Sequence, residues 1–150
     1  MTFPHAQNWF NENQDITQLL VGVFDYNGVL RGKRMPLSKL DSLIEGGFKM
    51  PLSILQTDIW GRDIDDSPLV FETGDGDGTV RLSERPPLRL SWMAEPTALL
   101  IGSFVAHDGG AHEACPKGRL AHYQAELAAQ DMHVKAGVEM EFYLLADQDG

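Results

Sequence analysis

Two carboxylates near the end of this 150-residue chain have the type and spacing to do chemistry: Glu139 and Glu141, in Val138-Glu139-Met140-Glu141-Phe142-Tyr143-Leu144. From Val134 to Leu144 alternate positions hold Val134, Ala136, Val138, Met140, Phe142 and Leu144, while Lys135, Gly137, Glu139, Glu141 and Tyr143 fall between them. That period of two predicts a strand with one apolar face, which would anchor it in a core. Residues two apart in a strand share a face at about 6.5 to 7 Å, so the two carboxylates are expected side by side. Hard oxygen donors so arranged suit Mg²⁺ or Mn²⁺, which would relieve their repulsion and bridge nucleotide phosphates. A solvated strand face gives the same pattern and is the commoner outcome, so alternation alone leaves both readings open.

Other chemistry-bearing stretches are weaker. Arg31-Gly32-Lys33-Arg34 places Arg31 and Lys33 on one strand face, where they could bind an anion or simply blunt a solvated sheet edge. Gly74-Asp75-Gly76-Asp77-Gly78 lacks the ligand spacing and closing Glu of an EF-hand and reads as a turn. Histidines 5, 107, 112, 122 and 133 show no His-x-His or His-Glu-x-x-His spacing, which argues against zinc. There is no glycine-rich phosphate loop ending in Lys-Ser/Thr and no nucleophile elbow. Cys115, just ahead of a predicted helix, belongs to no recognisable nucleophile motif and is not expected to act as a nucleophile.

The elements that must position these groups follow from patterning. Leu19 to Phe24 is apolar on both faces and runs into Asp25-Tyr26-Asn27-Gly28, a strand entering a hairpin turn, with Val29 to Met35 returning. Pro36 ends that strand; Ser38 offers a helix cap, Leu40, Leu43 and Ile44 an apolar stripe, and Gly46-Gly47 a helix stop. Residues 50 to 78, rich in Asp and Gly, read as a long and partly ordered loop. Thr79 to Leu82 is a short strand, Pro86-Pro87 a break, Ala98 to Val105 a core strand and His107 to Gly110 a turn. A helix is expected from Pro116 to near Gln130, and Asp147-Gln148-Asp149-Gly150 reads as a further reversal.

Composition narrows the function. Twelve Lys+Arg against twenty-two Asp+Glu give a net charge of −10, which disfavours nucleic acid and anionic membrane surfaces as partners. With 43% hydrophobic and 23% charged residues the chain reads as globular, and no apolar run is long enough to span a bilayer. The N-terminus lacks the pattern of a signal peptide, and a single cysteine fits a reducing compartment, so a cytoplasmic location is expected.

The order of motifs says more than any one of them. Val23-Phe24-Asp25-Tyr26-Asn27-Gly28-Val29-Leu30-Arg31-Gly32-Lys33-Arg34, then Gly47-Phe48-Lys49-Met50-Pro51, then Gly74-Asp75-Gly76-Asp77, then Gly137 to Leu144, resembles the N-terminal portion of glutamine synthetase-family proteins across nearly the whole chain. The first block is more similar to members that join glutamate to amines, such as γ-glutamylpolyamine synthetases, than to the ammonia-using enzymes. The resemblance implies an α+β fold: a β-grasp domain over residues 1–107, then the first helix and strand of a catalytic α/β domain over 108–150. It implies that Glu139 and Glu141 are ligands of Mg²⁺ or Mn²⁺. ATP would be co-substrate, with most of its site beyond residue 150, and glutamate and an amine or ammonia the other substrates. The reaction would run through γ-glutamyl phosphate in a ring-shaped homo-oligomer.

In that family an acidic residue from one subunit's β-grasp domain reaches the next subunit's site. Asp58 and Asp63 lie in the corresponding loop, and Asp58 is the candidate catalytic residue, although the Asp-Gly-Ser-Ser wording of the ammonia-using enzymes is missing. Lys117 stands where members commonly carry Arg after the Pro. By itself the segment is expected to be inactive. An ammonia-dependent glutamine synthetase and a stand-alone, non-catalytic β-grasp assembly domain are the alternative readings.

Overall fold

The computed structural model describes residues 4–72 and 74–146. Helix α1 spans Pro4–Glu12 and buries Phe10, whose ring meets Trp9 edge-on at 5.1 Å. Strand β1 (Gln18–Phe24) then pairs antiparallel with β2 (Leu30–Pro36), from Gln18 opposite Pro36 to Phe24 opposite Leu30. The reversal between them uses five residues. The Asp25 amide donates to the Val29 carbonyl and the Gly28 amide to the Asp25 carbonyl, both at 3.0 Å, and Gly28 takes the left-handed φ of 74° that glycine tolerates.

A short 3₁₀ turn (Leu37–Lys39) leads into helix α2 (Leu40–Gly46). The expected Ser38 cap does not form: Lys39 occupies the cap position and no side chain bonds the helix start. The stop is as expected, with Gly47 at φ 71° donating its amide to the Leu43 carbonyl at 2.9 Å. Residues 50 to 78 are more regular than their composition implies. They contain β3 (Phe48–Pro51), a 3₁₀ segment (Leu52–Gln56) and helix α3 (Pro68–Phe71), and β4 (Asp77–Leu82) begins within them. The irregular part shrinks to 57–67 and a short turn ahead of β4, because neighbouring strands and the buried Leu55 impose order that Asp and Gly propensities do not. Strands β5 (Leu88–Arg89) and β6 (Thr97–Val105) and helix α4 (Pro116–Ala128) complete the elements.

The strands join in the order β2-β1-β6-β4-β3, with β5 also bonded to β6. β1 and β6 run parallel at the centre and the other pairs are antiparallel. The result is a mixed sheet with helices, an α+β arrangement. Alternation along the central strands buries Leu19, Val21 and Val23 with Ala98, Leu100 and Phe104, and they meet Val80, Leu82, Phe48, Met50, Leu55 and the α2 residues Leu40 and Leu43. No helix among the described residues is long and apolar enough to cross a membrane.

The strand expected over 134–144 does not form. Residues 132–146 belong to no helix or strand, and Val138, Met140 and Phe142 are 86%, 85% and 76% exposed. A strand needs a neighbour for its backbone N–H and C=O groups and a core for its apolar side chains. Among the described residues nothing supplies either. Helix α4 has the same character, since Gly118 is its one buried residue and Leu120 and Tyr123 face solvent. The reversal expected at Asp147 to Gly150 lies outside the described residues.

Candidate functional site

A connected set of polar contacts joins the β1–β2 turn to residues 57–63. Asp25, at the end of β1, is 2% exposed. Its Oδ1 accepts the amides of Asn27 and Val29, each at 2.8 Å, and so shapes the turn. Its Oδ2 accepts Arg31 Nε at 2.8 Å and Thr57 Oγ1 at 3.5 Å. Burial pushes the Asp25 carboxyl up, but the Arg31 bond, the two amides and the Arg31 charge outweigh it and hold it below the ordinary carboxylate value.

From this anchor the contacts continue into the loop. Asn27 Nδ2 donates to the Thr57 carbonyl at 2.7 Å, and Arg31 Nη2 donates to the Asp58 carbonyl at 3.4 Å. Asp58 closes the loop on itself, its Oδ1 accepting the amides of Trp60 and Arg62 at 2.8 Å each, while its own amide donates to the Arg62 carbonyl at 2.8 Å. Thr57 and Asp63 form an antiparallel bridge at the base. At the tip Ile59 and Trp60 are exposed, Trp60 by 78%. An open cavity of about 420 Å³ lies beside the loop, lined among others by Tyr26, Asn27, Thr57, Ile64 and Asp65.

The structure thus brings Arg31 and Asp58 together but gives both local work. Arg31 is bonded to Asp25, and Lys33, on the same strand face, donates to the Lys49 carbonyl at 2.7 Å. Both side chains on which the anion-binding option for the Arg31-Gly32-Lys33-Arg34 stretch relied thus engage acceptors of the protein itself, Arg31 a buried carboxylate and Lys33 a single carbonyl. Asp63 is exposed and stands at the bridge, not in the Asp58 turn. Asp25, Asn27 and Thr57 were not singled out in the sequence. The signal available was an Asp directly before the turn with an Arg six residues on, but their use of the 57–63 loop is a tertiary fact.

Glu139 and Glu141 lie far along the chain in the exposed segment 132–146. Their oxygens have the right chemistry for Mg²⁺ or Mn²⁺, which take several oxygen ligands. Two carboxylates are too few, and the described residues contain no group of three or more His, Cys, Asp or Glu able to hold an ion. The residues present fit a share of a metal site and not a whole one.

No protein-family model matches the chain. Among curated proteins, γ-glutamylputrescine synthetase PuuA of Escherichia coli (strain K12) is 32% identical over 128 residues, which cover 83% of this chain and 26% of that protein. The chain belongs to the glutamine synthetase family. Its fold agrees with solved relatives: a novel glutamine synthase homolog (TM-score 0.66, 19% identity) covers 77% of this chain and 27% of its own. GmaS in its ADP complex (TM-score 0.62, 18% identity) covers 87% and 26%, and the Plasmodium falciparum glutamine synthetase (TM-score 0.59, 10% identity) covers 83% and 22%. This glutamine synthetase-family chain therefore spans about a quarter of the length of the relatives it matches.

Proposed function

We propose that this chain is the N-terminal part of an ATP-dependent ligase that joins the γ-carboxyl of glutamate to an amine through γ-glutamyl phosphate. The observation that carries the reading is the 32% identity with γ-glutamylputrescine synthetase over 128 residues, a span that takes in most of the chain. We assign residues 1–107 to a β-grasp domain, a reading supported by a mixed sheet with a parallel central pair and a helix between β2 and β3. Residues 108–150 are then the opening of the catalytic domain. This accounts for the exposed apolar side chains of α4 and 132–146, which would be covered by the strands and helices of that domain.

In this reading Glu139 and Glu141 hold Mg²⁺ or Mn²⁺ together with donors from the rest of the domain. The ion, when bound, neutralises phosphate charge during transfer. The chain's own contribution would be two carboxylates on one side of an alternating segment, fixed only once the rest of the domain pairs with its backbone and covers its apolar face. Asp58 is the acidic residue offered to a neighbouring subunit of a ring-shaped homo-oligomer. Its Oδ2, which has no partner among the described residues, is the atom left for that role, since Oδ1 is bonded to the Trp60 and Arg62 amides.

The test is a coupled assay of phosphate release from ATP by the protein that carries this chain together with its catalytic domain. Release that requires both glutamate and putrescine, and is much slower with ammonia, supports the amine ligase. Preference for ammonia favours glutamine synthetase itself, and no release with any amine removes both. A non-catalytic assembly domain is the second reading, favoured by a core drawn almost wholly from residues 6–104, with Cys115 joining it. It requires the chain to associate with a full-length relative in light scattering, and a chain that stays monomeric counts against it.

A further inference from the structure

The 57–63 loop is closed internally by Asp58, yet nothing in that closure fixes its place relative to the sheet. Among the described residues the Asp58 carboxylate bonds only amides of its own loop, at Trp60 and Arg62. Attachment to the sheet comes from the β1–β2 turn: Tyr26 N–H to the Leu55 carbonyl at 3.1 Å, Asn27 Nδ2 to the Thr57 carbonyl at 2.7 Å, and Arg31 Nη2 to the Asp58 carbonyl at 3.4 Å. Of these groups Arg31 alone reaches Asp58. Its Nε is held by the buried Asp25 Oδ2 at 2.8 Å, so the guanidinium has one fixed edge and offers the other to the loop. Gly61 lies against it: a Cβ there would stand 3.0 Å from Arg31 Nη1, at a φ of +82°.

We propose that Arg31 is a positioning residue, whose guanidinium, fixed by Asp25, sets where the Asp58 loop and its exposed Ile59-Trp60 tip project from the sheet. The inference rests on the reading of that loop as a functional projection. Chemistry makes the requirement specific to arginine. One planar group must donate along two diverging directions at once, to a carboxylate and to a main-chain carbonyl, and a lysine ammonium at the end of a flexible stem cannot reproduce that fork. Charge alone would satisfy Asp25. Only the fork also sets the loop.

Two variants separate geometry from stability, Arg31→Lys, which keeps the charge, and Arg31→Ala; Gly61→Ala, strained by its φ of +82° whatever the space around it, is the control for loop strain. In the 150-residue chain, residual dipolar couplings of the 58–62 amides are expected to report a reoriented loop in Arg31→Lys and Arg31→Ala, with β6 couplings and the exchange protection of the Trp60 and Arg62 amides unchanged in Arg31→Lys. In the ligase assay of the full protein, Arg31→Lys is expected to lower kcat about tenfold or more with KM for ATP unchanged, as misplacement of a catalytic group does. Added guanidinium should restore part of the loss in Arg31→Ala. Wild-type couplings at 58–62 in Arg31→Lys overturn the proposal, whatever becomes of Arg31→Ala. Asp58→Asn distinguishes the two levels: full activity there removes the loop's functional role, whereas loss there with wild-type kcat in Arg31→Lys removes the role of Arg31 alone.

Discussion

Asp25 and Arg31 face each other across the β1–β2 turn with Oδ2 and Nε 2.8 Å apart, the Asp side chain fully enclosed and the Arg side chain 21% exposed. Because the carboxylate also takes two backbone amides, the pair is part of the turn and not an ornament on it. A buried ion pair is weak evidence of net stabilisation, but removing one partner from it is costly.

Asp25→Asn is expected to destabilise the chain by about 3 kcal/mol at neutral pH, measured by urea unfolding. The pH dependence has a definite sign. The native carboxyl sits below its ordinary value, so its contribution is complete above the unfolded pKa and disappears as pH falls through the lowered native one. The acid limb of the stability profile should therefore be shallower in Asp25→Asn. A variant with the wild-type acid slope would show that Arg31 and the amides do not govern this carboxylate.

Lys117 provides the opposite case. Its Nζ is buried without a hydrogen-bond partner among the described residues. Burial, then the nearby Arg85 charge, lower its pKa from 10.5, with Cys115 opposing. Between the lowered native value and 10.5 the unfolded chain binds more protons than the native one, so stability should rise with pH across that window. Lys117→Met should stabilise the chain by roughly 1 kcal/mol at pH 7 and abolish the rise. Equal urea midpoints for the two proteins at pH 7 would mean that the ammonium has found a partner in solution.

Met140→Ala and Phe142→Ala should each change the unfolding free energy of the 150-residue chain by less than about 0.5 kcal/mol, since both side chains are exposed. Phe104→Ala, with its ring fully buried, should cost about 3 to 5 kcal/mol in the same measurement. A loss of core size on truncating Phe142 would place residues 138–145 in a packed strand already within this chain.

Much of the framework was legible in sequence, for reasons that differ by element. The hairpin around Asn27-Gly28, the core strand through Phe104, the Gly47 helix stop and the Pro116 helix start depend on local chemistry: positive φ, apolar runs, a missing amide. The order within 50–78 was not legible, because Lys49 and Thr79 become neighbours only once β3 and β4 pair. The motif order was enough to place the chain in its family, while neither the sheet order nor the parallel β1–β6 pairing follows from any local pattern.

The candidate site divides along the same line. Sequence alone determined that Glu139 and Glu141 fall on one side of an alternating segment, because a period of two is a property of the chain itself. Whether that segment is a strand was a matter for tertiary structure, since backbone bonding and apolar burial both need a second element. Tertiary structure also decided that Arg31 turns to Asp25 and Asp58 instead of an anion, because a buried carboxylate 2.8 Å away outcompetes water for the guanidinium. That partnership joins Arg31 beside the β1–β2 turn to Asp58, 27 residues downstream, and only the folded sheet brings them within reach.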